Sequence, residues 1–198
     1  MNFRLLNFGS FQLVFLFVVV FMTSFSSCKK DDEKSVIQLN HDSANLDAPN
    51  FPANTYEGAA RFPAATMDEY SGGQLTEVEF YIKEVPNSTK LKVYTGSSSS
   101  APVNEVYSAT LTGSVEADSW NTHTLSTPLV LDGSDLWLAV EFTHNDSRAV
   151  LGCDAGPAVT DGDHFFDAAT GYWQKLSVFN SSISINWNIR GKVEVLED

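Results

Sequence analysis

Asp135-Leu136-Trp137-Leu138-Ala139-Val140-Glu141-Phe142 is the stretch that decides the fold. Leu136, Leu138, Val140 and Phe142 take every second position, with Asp135, Trp137, Ala139 and Glu141 between them. Successive side chains of a strand point to opposite faces, so this two-residue period places one apolar set on one side of a sheet. Upstream, Val78, Phe80 and Ile82 alternate with Glu77, Glu79, Tyr81 and Lys83, and Leu91 and Val93 with Lys90, Lys92 and Tyr94. Downstream, Trp187, Ile189, Gly191, Val193 and Val195 alternate with Asn186, Asn188, Arg190, Lys192 and Glu194. One greasy face and one polar face is the pattern of antiparallel sheets with one side wet.

Turn chemistry separates these runs: Ser71-Gly72-Gly73, Pro86-Asn87, Gly96 with Ser97 to Ser100, Asp132-Gly133, His144-Asn145-Asp146, Gly156-Pro157 and Asp161-Gly162-Asp163. Short strands between such signals predict a sandwich or barrel. The one helical hint is Pro63 to Tyr70, a turn or two. The expected fold is all-β, a single antiparallel sandwich over residues 56–198.

The 198 residues fit one domain plus targeting sequence. Twelve Lys and Arg against 25 Asp and Glu give a net charge of -13, which argues against nucleic acid, whose binding runs on clustered cations. The acidity serves solubility or cation binding. Of the two cysteines, Cys28 and Cys153, only Cys153 falls in the expected domain, so no intradomain disulfide can form.

Arg4, the apolar run Leu13 to Met22 and the small residues before Cys28 compose a secretory signal over residues 1–27. Its ten-residue run is short of the roughly 20 that span a bilayer, the alternative being a retained signal-anchor helix. Ser26-Ser27-Cys28 resembles a bacterial lipobox, with Phe25 where an aliphatic residue is usual. That resemblance implies acyl chains on Cys28 and a membrane as partner, since two or more chains hold stably. Lys29-Lys30-Asp31-Asp32-Glu33 resembles the signal that sends Bacteroidetes lipoproteins to the cell surface, and reads equally as a charged tether. Residues 28–55, rich in Asn, Asp and Pro, are expected to be lipidated Cys and flexible tether. Within them Asp42-Ser43-Ala44 resembles an O-glycosylation acceptor of the same bacterial group.

Over most of residues 56–198 a second resemblance runs through short motifs in order. They are Ala59-Ala60-Arg61-Phe62, Gly72 to Tyr81, Leu91-Lys92-Val93-Tyr94, Trp120-Asn121, Leu136-Trp137-Leu138, Cys153 to Pro157 and Asn186 to Gly191. Together they resemble the jelly-roll modules attached to secreted peptidases and adhesins, notably the cleaved-adhesin domains that accompany gingipains. The resemblance implies a jelly roll, an adhesion or carbohydrate-binding role and, in some relatives, structural calcium.

Asp154, Asp161 and Asp163, among glycines, are the candidate calcium ligands, because calcium takes six to eight oxygens from carboxylates and carbonyls. The plainer reading has them cap turns. Trp137, out of phase with its apolar neighbours, Trp173 after Gly171, and Asn188 and Arg190 on one strand face are the candidate ligand-binding residues. Flat aromatic rings flanked by amides suit sugars. Each has a structural alternative: a loop anchor for Trp173, an ion pair with Glu141 or another carboxylate for Arg190. No His-Glu-x-x-His, Gly-x-Ser-x-Gly, phosphate loop or dinucleotide fingerprint occurs. The expected function is a non-enzymatic surface lipoprotein of the outer membrane that binds a glycan or an extracellular protein. The alternative is a structural subunit of an outer-membrane assembly.

Overall fold

A computed structural model describes residues 34–96 and 98–196. The signal segment, Cys28 and the charged residues 29–33 lie outside the described residues. Among those described, no helix is long and apolar enough to cross a membrane.

Twelve strands and two single-turn helices follow in order. They are β1 (Lys34–Leu39), β2 (Asn50–Phe51), β3 (Asn54–Phe62), α1 (Ala64–Met67) with a 3-10 turn at Asp68–Tyr70, β4 (Gln74–Ile82), β5 (Ser88–Thr95), β6 (Asn104–Thr110), β7 (Ser119–Val130), β8 (Leu136–His144), β9 (Arg148–Ala149), β10 (His164–Asp167), β11 (Tyr172–Lys175), α2 (Leu176–Phe179) and β12 (Ile189–Leu196). Two sheets form the layers, with strand orders β1-β12-β4-β7 and β11-β10-β3-β8-β5-β6, and β2 pairs with β9 in a short ladder. Every pair is antiparallel. The chain changes sheets between β3 and β4, β4 and β5, β6 and β7, β7 and β8, and β11 and β12, which is the jelly-roll pattern of a sandwich.

The alternation read from sequence is the packing of the core. Val78, Phe80, Ile82, Leu91, Val93, Leu138, Val140, Phe142, Ile189 and Val193 are fully buried between the layers. Trp187, just before β12, donates its indole N–H to the His164 carbonyl at 2.9 Å, which lets so large a polar ring sit in the core. Gly191 leaves room for side chains of both layers: a Cβ there would meet Leu138 Cδ1 at 2.8 Å and Leu75 Cδ1 at 3.0 Å. The helical hint at Pro63 to Tyr70 is α1 and its 3-10 continuation.

Residues 34–55 correct the expectation of a flexible tether. β1 pairs with β12 from Lys34↔Leu196 to Leu39↔Gly191. Leu39 and Phe51 are buried, and the Phe51 ring packs on Tyr56 and Phe165. An edge strand turns only one flank to a neighbour, so its polar positions mask the short inward set of Ile37 and Leu39.

Candidate functional site

The side of the six-stranded sheet turned away from the core carries the richest chemistry. Period two sends Glu57, Ala59 and Arg61 of β3 outward, with Trp137, Ala139 and Glu141 of β8 and Lys92 and Tyr94 of β5. Register then sets the neighbours: Arg61 opposite Trp137, Trp137 opposite Tyr94, Ala59 opposite both Ala139 and His164, and His164 opposite Lys175. Ala59, Trp137 and Ala139 form a small apolar cluster on this outer face, with Tyr94 and Trp173 packed against it. Thus β8 is buried on both sides, and Trp137, at 0% exposure, lies under a second layer.

Around Trp137 stand three groups. The His164 ring centroid is 4.3 Å away, the Trp173 ring meets it edge-on at 6.0 Å, and the Arg61 guanidinium lies 5.9 Å from its centroid. Arg61 donates to Asp135 Oδ2 from Nε and Nη2 at 3.0 and 2.7 Å, and to Asp161 Oδ2 from Nη1 at 3.0 Å. Asp161 is held in the left-handed region at φ 75°, a conformation uncommon for a residue with a side chain. There its carboxylate meets Arg61, His164 and the Lys175 ammonium. Burial raises the Asp161 carboxyl, but its contacts with His164, Arg61 and Lys175 outweigh it and hold the group below its usual range. Burial, aided by Lys175, depresses His164 to about 4, so its ring is neutral at pH 7. A cavity of about 180 Å³ opens beside these groups, lined by Ser99, Ser100, His164, Trp173, Gln174 and Lys175.

Further along the same face, Lys92 Nζ donates to Glu57 Oε2 at 3.0 Å and Glu141 Oε2 at 2.7 Å, and the Tyr94 hydroxyl donates to Glu57 Oε1 at 2.8 Å. Burial and the neighbouring Glu57 push the Tyr94 phenol above its ordinary value. Glu57 and Glu141 share the Lys92 ammonium, and Glu141 also takes Lys90 at 3.0 Å, so the cluster ties β3, β5 and β8 together.

The residues singled out from sequence do not converge. Trp137 and Trp173 belong to the face just described, but Trp137 is covered. Arg190 lies on β12 of the other sheet, and Asn188, fully buried, just before it. Both donate to Asp42: Asn188 Nδ2 at 2.8 Å, Arg190 Nε at 3.0 Å and Nη2 at 2.7 Å. Arg190 therefore pairs with Asp42 and not Glu141, and its guanidinium stacks 4.0 Å over Trp120. Asn188 is corrected from ligand contact to internal clamp because its amide has no path to solvent. The Asp42 of the Asp-Ser-Ala motif is locked in that clamp, leaving Ser43 exposed beside it.

The three aspartates proposed for calcium are likewise dispersed among donors. Asp154 accepts from the Asn186 backbone at 2.8 Å, the Asn186 side chain at 3.0 Å and Gly156 N at 2.8 Å. These bonds outweigh burial and keep its carboxyl below the usual range. Asp163 accepts from Ser177 Oγ at 2.8 Å. Asp161 is taken by Arg61, His164 and Lys175. Donors, not a cation, fill these oxygens, so the donor set does not fit calcium. Among the described residues no cluster of His, Cys, Asp or Glu is arranged to hold a metal. Cys153 is buried, and burial with Asp154 and Asp47 nearby pushes its thiol up to about 12.

Sequence reasoning passed over Arg61, Asp135, Lys175 and Ser99–Ser100. The signal for Lys175 was the β10–β11 hairpin, where Gly171 at φ 76° turns the chain and register lays Lys175 beside His164.

The sequence matches no protein-family model and no curated protein. Four solved chains match in structure. One is described as the clostridial cysteine protease Cwp84 after propeptide cleavage, at TM-score 0.56 and 11% identity, covering 83% of this chain and 41% of that one. Another is described as the cysteine protease and lectin-like domains of Cwp84, a surface layer associated protein of Clostridium difficile, at TM-score 0.50 and 11% identity, covering 74% and 33%. The chain thus spans well under half the length of these neighbours. At such identity the likeness concerns the fold alone, an all-β sandwich.

Proposed function

We propose that this chain is a non-enzymatic binding module that holds a glycan on the outer face of its six-stranded sheet. The observation that carries the reading is the half-buried Trp173 walling a cavity of about 180 Å³ together with His164, Gln174, Lys175 and two serines. An aromatic face for C–H groups beside several polar groups is the composition of a sugar site. The lectin-like domains named in one structural neighbour support the same class. In this reading the domain is displayed outside the cell from the outer membrane by lipid on Cys28. With β1 starting at Lys34, residues 29–33 give the chain a reach of at most about 18 Å.

The test is binding of residues 34–198 to a glycan array, with Trp173→Ala alongside. Trp173 borders solvent, so the variant should keep its urea midpoint and lose binding at least tenfold. An array silent toward the native fragment, or a Trp173→Ala variant that binds as well, refutes the reading. Palmitate labelling that persists in Cys28→Ala would refute the anchor.

A further inference from the structure

The aromatic surface at this site continues past the wall of the cavity. His164 and Phe166 are alternate residues of β10, so both rings stand on its outer side, while Phe165 between them fills the core. Register sets Phe166 opposite Trp173 on β11 and opposite Glu57 on β3. The Phe166 and Trp173 rings have centroids 5.7 Å apart and planes tilted by 42°. Both residues are half-buried. Trp173 lines the cavity and Phe166 does not, so Trp173 is the wall and Phe166 the first ring beyond it. Two residues of strand advance about 7 Å, which puts Phe166 one ring-sized step from His164.

Phe166 is the wrong residue for its place unless something covers it. Alternation makes this the wet side of the sheet, and a phenyl ring has no polar atom to offer water. Its surroundings are polar. Across from it Glu57 holds Lys92, which keeps 15% of its side chain exposed, as Glu141 on the same ammonium keeps 18%. Two residues further along β3, the half-buried Thr55 and Thr143 share a hydrogen bond between hydroxyls at 2.8 Å. A protein docking patch is broad and apolar, whereas here two rings stand among ions and hydroxyls. A chain of sugars fits such a row, since each unit brings an apolar C–H face for a ring and hydroxyls at its edges for the polar rim. The cavity, at about 180 Å³, is below the about 300–1,000 Å³ of drug-sized pockets and has room for a single unit, so a second unit must lie outside it, where Phe166 stands.

We infer that the site takes at least two linked sugar units, one in the cavity against Trp173 and the next on Phe166, and so selects oligosaccharides over single sugars. This rests on the glycan reading and adds to it a second binding residue and a preference for chain length.

The test is calorimetric titration of residues 34–198, which carry all twelve strands, with matched single sugars, disaccharides and tetrasaccharides of the glucose, mannose, galactose and N-acetylglucosamine series. In the series that binds, the disaccharide should bind at least about tenfold tighter than the single sugar, the scale of one aromatic anchor. Phe166→Ala should shrink that advantage to about twofold or less, and Phe166→Tyr, which keeps the ring, should retain it; urea midpoints report whether each variant folds. In the native protein, ¹H–¹³C signals of the Phe166 ring should move on saturation with the disaccharide. Equal affinity for single sugar and disaccharide overturns the inference while leaving glycan recognition standing. A disaccharide advantage that survives Phe166→Ala, or that leaves the Phe166 signals in place, also overturns it. Silence toward every sugar overturns both readings.

Discussion

Replacing Asp42 with alanine should destabilise the domain by about 3 kcal/mol, and the size comes from what the carboxylate holds. Its side chain is fully buried and accepts from Asn188 Nδ2 and from Nε and Nη2 of Arg190. Removing one partner of a buried ion pair costs about 3–5 kcal/mol, because the other charge is left unpaired. Arg190 keeps 21% of its side chain exposed and can partly rehydrate, which places the loss at the low end. Asn188 cannot, since it is fully buried. With an m-value of about 2 kcal/mol/M, the urea midpoint should fall by about 1.5 M at unchanged slope. Double-mutant cycles with Arg190→Met should return a coupling of at least about 1 kcal/mol. A midpoint within about 0.2 M of wild type would refute the reasoning and restore residues 34–55 to the status of a tether. A fragment beginning at residue 56 makes the complementary case: without β1, Phe51 and Asp42 it should not fold cooperatively.

His164 gives a pH dependence. Its folded value of about 4 lies below the ordinary 6.5, so the unfolded chain binds more protons between them and stability falls as pH drops through that window. Moving from pH 7 to pH 5 should cost about 2 kcal/mol in urea melts, and His164→Gln should flatten that slope; an unchanged slope would show that the ring is not held neutral. The Cys153 thiol, pushed up to about 12 and buried, should resist aromatic disulfide reagents in the native state and react fully in urea; rapid native labelling would contradict its burial. Gly156, at φ 67° with the Ser184 carbonyl where a Cβ would stand, should not tolerate alanine: Gly156→Ala should cost about 3 kcal/mol or more in the same melts, and a neutral result would mean the loop is placed otherwise. Because donors fill the Asp154, Asp161 and Asp163 oxygens, chelator should leave the melting midpoint unchanged, and a drop on chelation would reveal a cation held by other groups.

Much of the architecture was legible because the central stretches of the core strands obey one rule. Phe80, Val93, Leu138, Val140 and Ile189 repeat at period two and all face inward. The rule fails at the margins for physical reasons. β1 is an edge strand whose inward apolar set is only Ile37 and Leu39, too short a pattern to stand out from its Asn-rich surroundings. Trp137 breaks phase because a second layer covers the sheet there, and nothing local in the sequence announces what packs on an outer face. The ionic partners were the least legible. Arg190 reaches Asp42 across 148 positions and Arg61 reaches Asp161 across 100, and pairing at such separation is set by register and turn geometry, which composition does not encode.

The pairing of β1 with β12 also makes the domain's resistance to force depend on direction. Ladder hydrogen bonds run across the strands, so a pull along β1 from Lys34 loads all the pairs from Lys34↔Leu196 to Leu39↔Gly191 in shear at once. A pull across β1 would open the same pairs one after another from the Lys34 end, like a zipper. Three residues beyond Leu39 the Asp42–Arg190 clamp interrupts that peeling. A domain tugged through its N-terminus while gripping a surface would hold firmest when its strands lie along the line of tension.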